Sequence, residues 1–239
     1  MDAGIAIKSL ATTSGGSVVG LAVAAGLDGS EIRQLSIDEP MSGLLTRNPL
    51  RLMWAEGLDS GDALYRWLDR AYGRRKMGNA RIPIQVISTD LATGAFVFSP
   101  TSAPDVPMAL AARASAAVPK VWDPVRYQGR YLYDGGMCAN IPVDYLPIDG
   151  TPRIGVKVME ADKYDVSTRL ARDASMLSRL IEANEDTEMH LGAALGVQII
   201  KVDAGNAGFL DCNLPTATRA ALFQAGYDAM NLQILKLGK

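Results

Sequence analysis

The stretch Ile5-Ala6-Ile7-Lys8-Ser9-Leu10-Ala11-Thr12-Thr13-Ser14-Gly15-Gly16-Ser17-Val18-Val19-Gly20 reads as a strand, Ile5 to Leu10, that enters a tight turn and runs at once into an apolar helix, Ser17 to Ala25. A strand-to-helix turn of this kind lifts a serine Oγ clear of a sheet, the layout of a nucleophile elbow. Small residues are needed beside the serine because strand and helix backbones approach closely, and Gly15 and Gly16 supply them. The helix start aims free N–H groups and the positive end of its dipole at developing negative charge, which makes Gly15 a candidate oxyanion donor. Set against G-x-S-x-G, Ser14 and Gly16 match, while Thr12 stands in place of the first glycine. By itself the half-motif fits a Gly-Gly turn or an anion-binding helix start equally well.

Working outward, Ser30 would cap a short helix from Glu31, and Ser60 another reaching about Tyr72. Ile82 to Leu91 reads as a strand, Ala92-Thr93-Gly94 as a turn, and Ala95 to Phe98 as a strand paired back on the first. Val106 to Ser115 has helical composition. Arg130 to Tyr133, Ile154 to Met159 and Val197 to Val202 read as further strands. A helix opening at Pro215 closes the chain, with Leu222, Tyr227, Met230, Ile234 and Leu237 at roughly helical intervals. Strands alternating with helices predict an α/β layered fold around a mostly parallel sheet, with its chemistry outside the carboxyl ends of the strands. No internal repeat divides the 239 residues, so one domain over 1–239 is expected.

A second motif, Tyr131-Leu132-Tyr133-Asp134-Gly135-Gly136-Met137-Cys138-Ala139-Asn140-Ile141-Pro142-Val143, puts an acid at a strand end before a Gly-Gly turn. Alone this is common loop chemistry. Paired with the serine turn, it resembles the patatin-like phospholipase family, in which the aspartate of an Asp-Gly-Gly or Asp-Gly-Ala motif is the direct partner of the nucleophilic serine. Asn140 and Pro142 stand where that family commonly has asparagine and proline. Ser115-Ala116-Ala117-Val118-Pro119 is similar to its Ser-x-Ala-x-Pro segment, and Thr89-Asp90-Leu91-Ala92-Thr93-Gly94 to its strand and turn. The tail from Asp203 to Tyr227 also has the family's character. The resemblance runs from Gly4 over nearly the whole chain. It implies a three-layer fold, a mostly parallel central sheet with helices on both faces. It also implies Ser14 and Asp134 as a catalytic dyad, Gly15 as oxyanion support, and Gly16, Gly135 and Gly136 as motif residues.

Such a dyad needs no histidine, because the aspartate accepts the serine proton and returns it to the leaving alcohol. The single histidine, His190, lies in the polar helical stretch Glu185 to His190 and reads as a surface residue. No histidine, cysteine or acidic cluster has metal-ligand spacing, and no cofactor is expected. Cys138 and Cys212 match no zinc or redox pattern and read as free thiols of a reducing compartment. The net charge of −2 gives no electrostatic reason to expect a nucleic-acid partner, and Arg74, Arg75 and Lys76 read as a solvated helix end or loop. Neither a signal peptide nor a membrane-spanning stretch is recognisable, so a cytoplasmic location is expected. Met41 to Trp54, apolar with two arginines and an internal proline, reads as a lid or membrane-docking surface, or as ordinary packing against the sheet.

Family members usually open with a strand and a glycine-rich loop, Gly-Gly-Gly-x-Arg/Lys-Gly, whose N–H groups form the oxyanion hole. The sequence has no stretch of that form, and the family's first strand and loop are expected to be missing. The leading expectation is a lipid acyl hydrolase of phospholipase A or lysophospholipase character. Its substrate would be a phospholipid or other lipid ester, met through peripheral membrane contact. With one oxyanion donor, activated short-chain esters should turn over slowly and phospholipids barely. The rivals are a weakly active or inactive lipid-binding or regulatory protein on the same fold, and an esterase or thioesterase for small soluble acyl substrates.

Overall fold

Pro83 sets where the sheet begins. Its carbonyl accepts from the Leu10 N–H at 2.9 Å, and a parallel ladder then runs from Leu10 opposite Ile84 to Thr13 opposite Ile87. The first strand, β1, is therefore Leu10–Thr13 rather than Ile5 to Leu10. Residues 5–9 have no regular structure and are exposed or half-buried. This computed structural model describes residues 5–38, 43–46, 48–159, 169–205, 207 and 213–237. Met1 to Gly4, Met41, Ser42, Arg47, Cys212 and part of the Asp203-to-Tyr227 tail lie outside them.

After β1 come α1 (Ser14–Ala25), α2 (Gly29–Ile37), α3 (Asp62–Ala71), β2 (Ile84–Asp90), β3 (Gly94–Phe98), α4 (Met108–Ser115), β4 (Val125–Tyr127) and β5 (Arg130–Tyr133). The chain closes with β6 (Ile154–Met159), α5 (Arg169–Ala194), β7 (Gln198–Asp203) and α6 (Thr216–Leu237). Helix α1 starts at the serine itself, three residues ahead of the expected Ser17. Helix α2 is capped by Asp28, not Ser30. The Asp28 carboxylate accepts from the Ser30 and Glu31 N–H groups, and Glu31 reaches back to the Asp28 N–H in a capping box.

The α/β class stands, and the strand directions refine it. The main sheet has the order β1-β2-β5-β4, with β3 also on β2, and β6 and β7 form a second sheet. Among the named strands of the described residues, β1–β2 and β6–β7 pair in parallel, each joined through helices, and the other pairings are antiparallel. The sheet is thus mixed rather than mostly parallel. The reason lies in two tight turns, which can join only antiparallel strands. One is the turn before Gly94. The other is Gln128-Gly129, where both residues have positive φ (49° and 76°), as a two-residue hairpin of matching twist requires. Without an Asn-Gly or Asp-Gly signal, that hairpin and strand β4 escape a sequence reading.

One face of β2, through Ile84 and Val86, packs with Leu21 and Ala24 of α1, Leu64 and Leu68 of α3, and Met108 and Ala112 of α4 in the main core. Helix α1 lies so close to β1 that a Cβ on Gly20 would sit 2.5 Å from Thr12 Cγ2. On the other face, Gln85 Nε2 donates to the Tyr145 carbonyl at 2.7 Å, so the segment after β5 runs beneath the sheet. Helix α5 closes over that segment, and Ile141, Val143 and Val197 make a small second core there. Helices and the layered segment on either face of the sheet form three layers.

Candidate active site

Ser14 sits where β1 becomes α1. The preceding Thr13 is extended (φ −140°, ψ 152°), and Ser14 itself has φ 48°. A left-handed conformation costs a non-glycine residue on the order of 1–2 kcal/mol, so its surroundings must hold it. The Ser14 N–H donates to Ser115 Oγ at 2.9 Å, while the side chain is half-buried. Gly15 and Gly16 are exposed. Their N–H groups, in the first turn of α1, have no intrahelical acceptor. A Cβ on either would meet nothing within 4 Å. Open space therefore lies beside the serine, at the positive end of a helix.

The acid is fixed on every side. Asp134 is 3% exposed. Its Oδ2 accepts from Ser14 Oγ at 2.7 Å, and its Oδ1 accepts from the Gly136 N–H at 2.8 Å. Its own N–H donates to the Ala117 carbonyl at 3.0 Å, and its carbonyl accepts from Thr89 Oγ1 at 2.8 Å. Burial raises its pKa to about 6, against the opposing hydrogen bonds from Ser14 and the Gly136 N–H. A carboxyl poised there titrates in the range where a general base is useful.

Ser14 and Asp134 do not come from strands paired side by side, as the simplest parallel-sheet picture expects. Strand β3 pairs with Val86–Asp90 along one edge of β2, and β1, opposite Ile84–Ile87, shares the other edge end to end with β5, opposite Thr89 and Asp90. Past Tyr133 the chain therefore runs straight toward the carboxyl end of β1. A Cβ on Gly135 would sit 2.1 Å from the Ile87 carbonyl oxygen and 2.3 Å from Thr13 Oγ1. Gly135 is thus a glycine because two strands press on it, and Gly136 is confined by Asn140 Oδ1 at 2.9 Å.

Helix α5 holds the loop after Asp134 from below. Glu188 accepts from the Asn140 and Ile141 N–H groups at 3.2 and 2.6 Å, and Asn184 Nδ2 donates to the Cys138 carbonyl at 3.2 Å. Partial burial raises the pKa of Glu188 above the ordinary glutamate range. Sequence reading missed these two residues, for nothing local distinguishes them within a polar helix. His190, on the same helix, is exposed and bonds to the Asp186 carbonyl of its own turn at 2.7 Å. Cys138 is a free thiol.

The Met41-to-Trp54 segment divides. Leu44 is buried, whereas Leu50, Met53 and Trp54, on and just after a single turn of 3-10 helix (Pro49–Met53), are 63%, 79% and 69% exposed. That turn is anchored from beneath: Arg51 pairs with Asp123, whose Oδ1 also accepts from the Gly57 N–H. The Tyr133 hydroxyl donates to Glu56, which connects the turn to the residue preceding Asp134. A cavity of about 350 Å³ opens there, walled by Glu56, Leu91, Arg130, Tyr131 and Tyr133. Among the described residues, no group of three or more histidine, cysteine or acidic side chains is placed to hold a metal, and no helix is long and apolar enough to cross a membrane.

Residues 2–147 match the family model described as patatin-like phospholipase. The chain is 24% identical over 253 residues to YqhO, an uncharacterised protein of Bacillus subtilis (strain 168), an alignment covering 94% of this chain and 87% of that protein. Its fold is similar to the crystal structure of VipD from Legionella pneumophila, with a TM-score of 0.55 at 14% identity. That superposition covers 94% of this chain and 60% of VipD, so the chain spans about three fifths of VipD's length.

Proposed function

Because the chain belongs to the patatin-like phospholipase family, we propose that it is a lipid acyl hydrolase of phospholipase A or lysophospholipase character, with Ser14 as nucleophile and Asp134 as its base. One observation carries the reading: a 2.7 Å hydrogen bond from Ser14 Oγ to a buried carboxylate, made on a nucleophile elbow with φ 48°. Ser14 Oγ bonds to the ester carbonyl carbon as Asp134 Oδ2 takes its proton. The carbonyl oxygen, now an oxyanion, is stabilised by the Gly15 N–H at the start of α1. Collapse of the tetrahedral intermediate breaks the bond to the alcohol, which leaves with the proton from Asp134. Water, deprotonated by Asp134, then attacks the acyl-serine, and the acid and Ser14 are regenerated. Residues 1–239 are read as one domain, since α5 buttresses the acid that β5 delivers. A fluorophosphonate ester should add one mass label, mapped to Ser14. A label elsewhere, or none, would leave the lipid-binding reading in its place.

The elevated pKa of Asp134 sets the sign of two pH effects. The base works only when ionised, so kcat/KM should rise tenfold per unit below pH 6 and level off above about 6. A profile flat between pH 4.5 and 8 would exclude Asp134 as the base. Stability runs the opposite way. The folded state holds this proton more tightly than the unfolded chain, so the contribution is fully present below the ordinary aspartate pKa and lost as pH rises through about 6. Asp134→Asn, which cannot ionise, should gain on the order of 2–3 kcal/mol relative to the parent between pH 4 and pH 8. Urea unfolding at the two pH values measures this.

The lipid reaches the site, in this reading, from a membrane surface touched by Leu50, Met53 and Trp54 and approached from the cytoplasm, where a free Cys138 thiol is at home. Trp67 and Trp122 are buried, which leaves Trp54 as a clean reporter. Its fluorescence should shift to the blue on adding phosphatidylcholine vesicles. A combined Leu50→Ser, Met53→Ser, Trp54→Ser variant should lower vesicle partitioning by roughly 10²-fold or more, given about 1.5–3 kcal/mol for each large apolar side chain withdrawn from water. Unchanged co-sedimentation of that variant would remove this surface from the proposal.

A further inference from the structure

A serine that the proposed chemistry does not touch is hydrogen-bonded to the one that it does. Ser115, at the end of α4, is fully buried. A hydroxyl has one proton to give and two lone pairs to offer, and at Ser115 all three are used. Its proton goes to the Ile87 carbonyl at 2.5 Å, a group that can only accept. One lone pair takes the Ser14 N–H at 2.9 Å. The other faces Ser17 Oγ at 2.8 Å, so Ser17 must be the donor there. Ser17, also fully buried, lies 3.2 Å from Thr12 Oγ1, whose own proton goes to the Gln85 carbonyl at 3.3 Å. The cluster of hydroxyls spans β1, α1, α4 and β2.

We propose that Ser115 is a positioning residue: it holds the Ser14 amide, and through it the left-handed φ that aims Oγ at Asp134. The proposal rests on the reading of Ser14 as nucleophile. Two consequences follow from the same bond. A residue with φ 48° relaxes toward the ordinary helical region unless its amide is tethered, and relaxation swings Cβ and Oγ away from the carboxylate. The Ser14 N–H is also withheld from the substrate, so the helix-end donors left for an oxyanion are those of Gly15 and Gly16.

The control is built into the network, because Ser17→Ala removes an equally buried hydroxyl that does not touch Ser14. Ser115→Ala and Ser17→Ala are compared in melting temperature, ester kinetics, rate of fluorophosphonate labelling at Ser14, and amide exchange at Ser14 by NMR. Both variants should melt lower by similar amounts. Only Ser115→Ala should lower kcat and the labelling rate, by about 10–10²-fold with KM unchanged, as displacement of a reacting atom by about 1 Å does. Only Ser115→Ala should speed exchange of the Ser14 amide. Equal losses in the two variants would overturn the proposal in favour of general packing, and so would wild-type labelling or exchange in Ser115→Ala. If Ser115→Ala does not fold, Ser115→Cys, close in size but a weak acceptor, is held to the same outcomes. A wild-type protein that takes no label at Ser14 defeats the nucleophile reading itself, while the exchange data still decide whether Ser115 holds the amide.

Discussion

Asp134→Asn should lower kcat for an activated ester by about 10²–10⁴-fold, the usual worth of a positioned base, and Ser14→Ala should remove turnover altogether. The two losses should not add, since each breaks the same proton transfer; the double variant should be no slower than Ser14→Ala alone. Asparagine keeps the shape of the carboxyl and its Oδ1 still accepts from the Gly136 N–H, so the loop after β5 should stay in place. What changes is that no group can take the proton of Ser14 Oγ, which lies 2.7 Å from Oδ2 in the parent. The measurement is initial rate on a p-nitrophenyl ester, with circular dichroism to show that the fold survives. Asp134→Asn turning over within a few-fold of the parent would place the base elsewhere. Full activity in Ser14→Ala would remove the nucleophile.

The second large effect belongs to Gly135. Any Cβ there must enter the space of the Ile87 carbonyl oxygen at 2.1 Å and Thr13 Oγ1 at 2.3 Å. Both belong to strands locked in register opposite one another, so the loop after β5 has to move. Gly135→Ala should therefore destabilise by about 1–3 kcal/mol, as overpacking does, and draw Asp134 off Ser14, with a loss of activity comparable to Asp134→Asn. Gly15→Ala is the contrast. Its Cβ meets nothing within 4 Å, and alanine favours the helix by about 1 kcal/mol, so it should melt at or above the parent temperature. Thermal melts and ester rates on the pair test both statements. A Gly135→Ala protein as stable and active as the parent would mean that the loop after β5 does not run against β1 and β2 as described.

The four glycines mark how far the sequence could be read. Gly15, Gly16, Gly135 and Gly136 look alike in their two motifs, and the motifs with the order of strands and helices were enough to name the family and to single out Ser14 and Asp134. Those signals are local: a small residue beside a turn, an acid at a strand end, a period of hydrophobicity. Which glycine is squeezed and which faces open space depends on what other parts of the chain lie against it, and no local pattern carries that. The same holds for the path between the pair. A mostly parallel sheet was expected from alternating elements, but two tight turns made it mixed, and β5 runs antiparallel along the edge of β2 that β1 also uses, so that it delivers Asp134 head-on to the end of β1.

Strand β1 shows the division within a single segment. Its apolar character was plain from Ile5 onward, yet pairing begins only at Leu10, because the ladder can start only where β2 does, after Pro83. The sequence by itself determined the α/β class, the serine turn and the acid that could serve it, since each rests on residue types at short spacing. Only the tertiary structure decided what holds them. Ser115 grips the Ser14 amide from 101 residues away, and Glu188 grips the Asn140 and Ile141 amides from 48 and 47 residues away. A buried hydroxyl or carboxylate becomes a support through the groups it meets after folding, and those meetings depend on how distant elements pack.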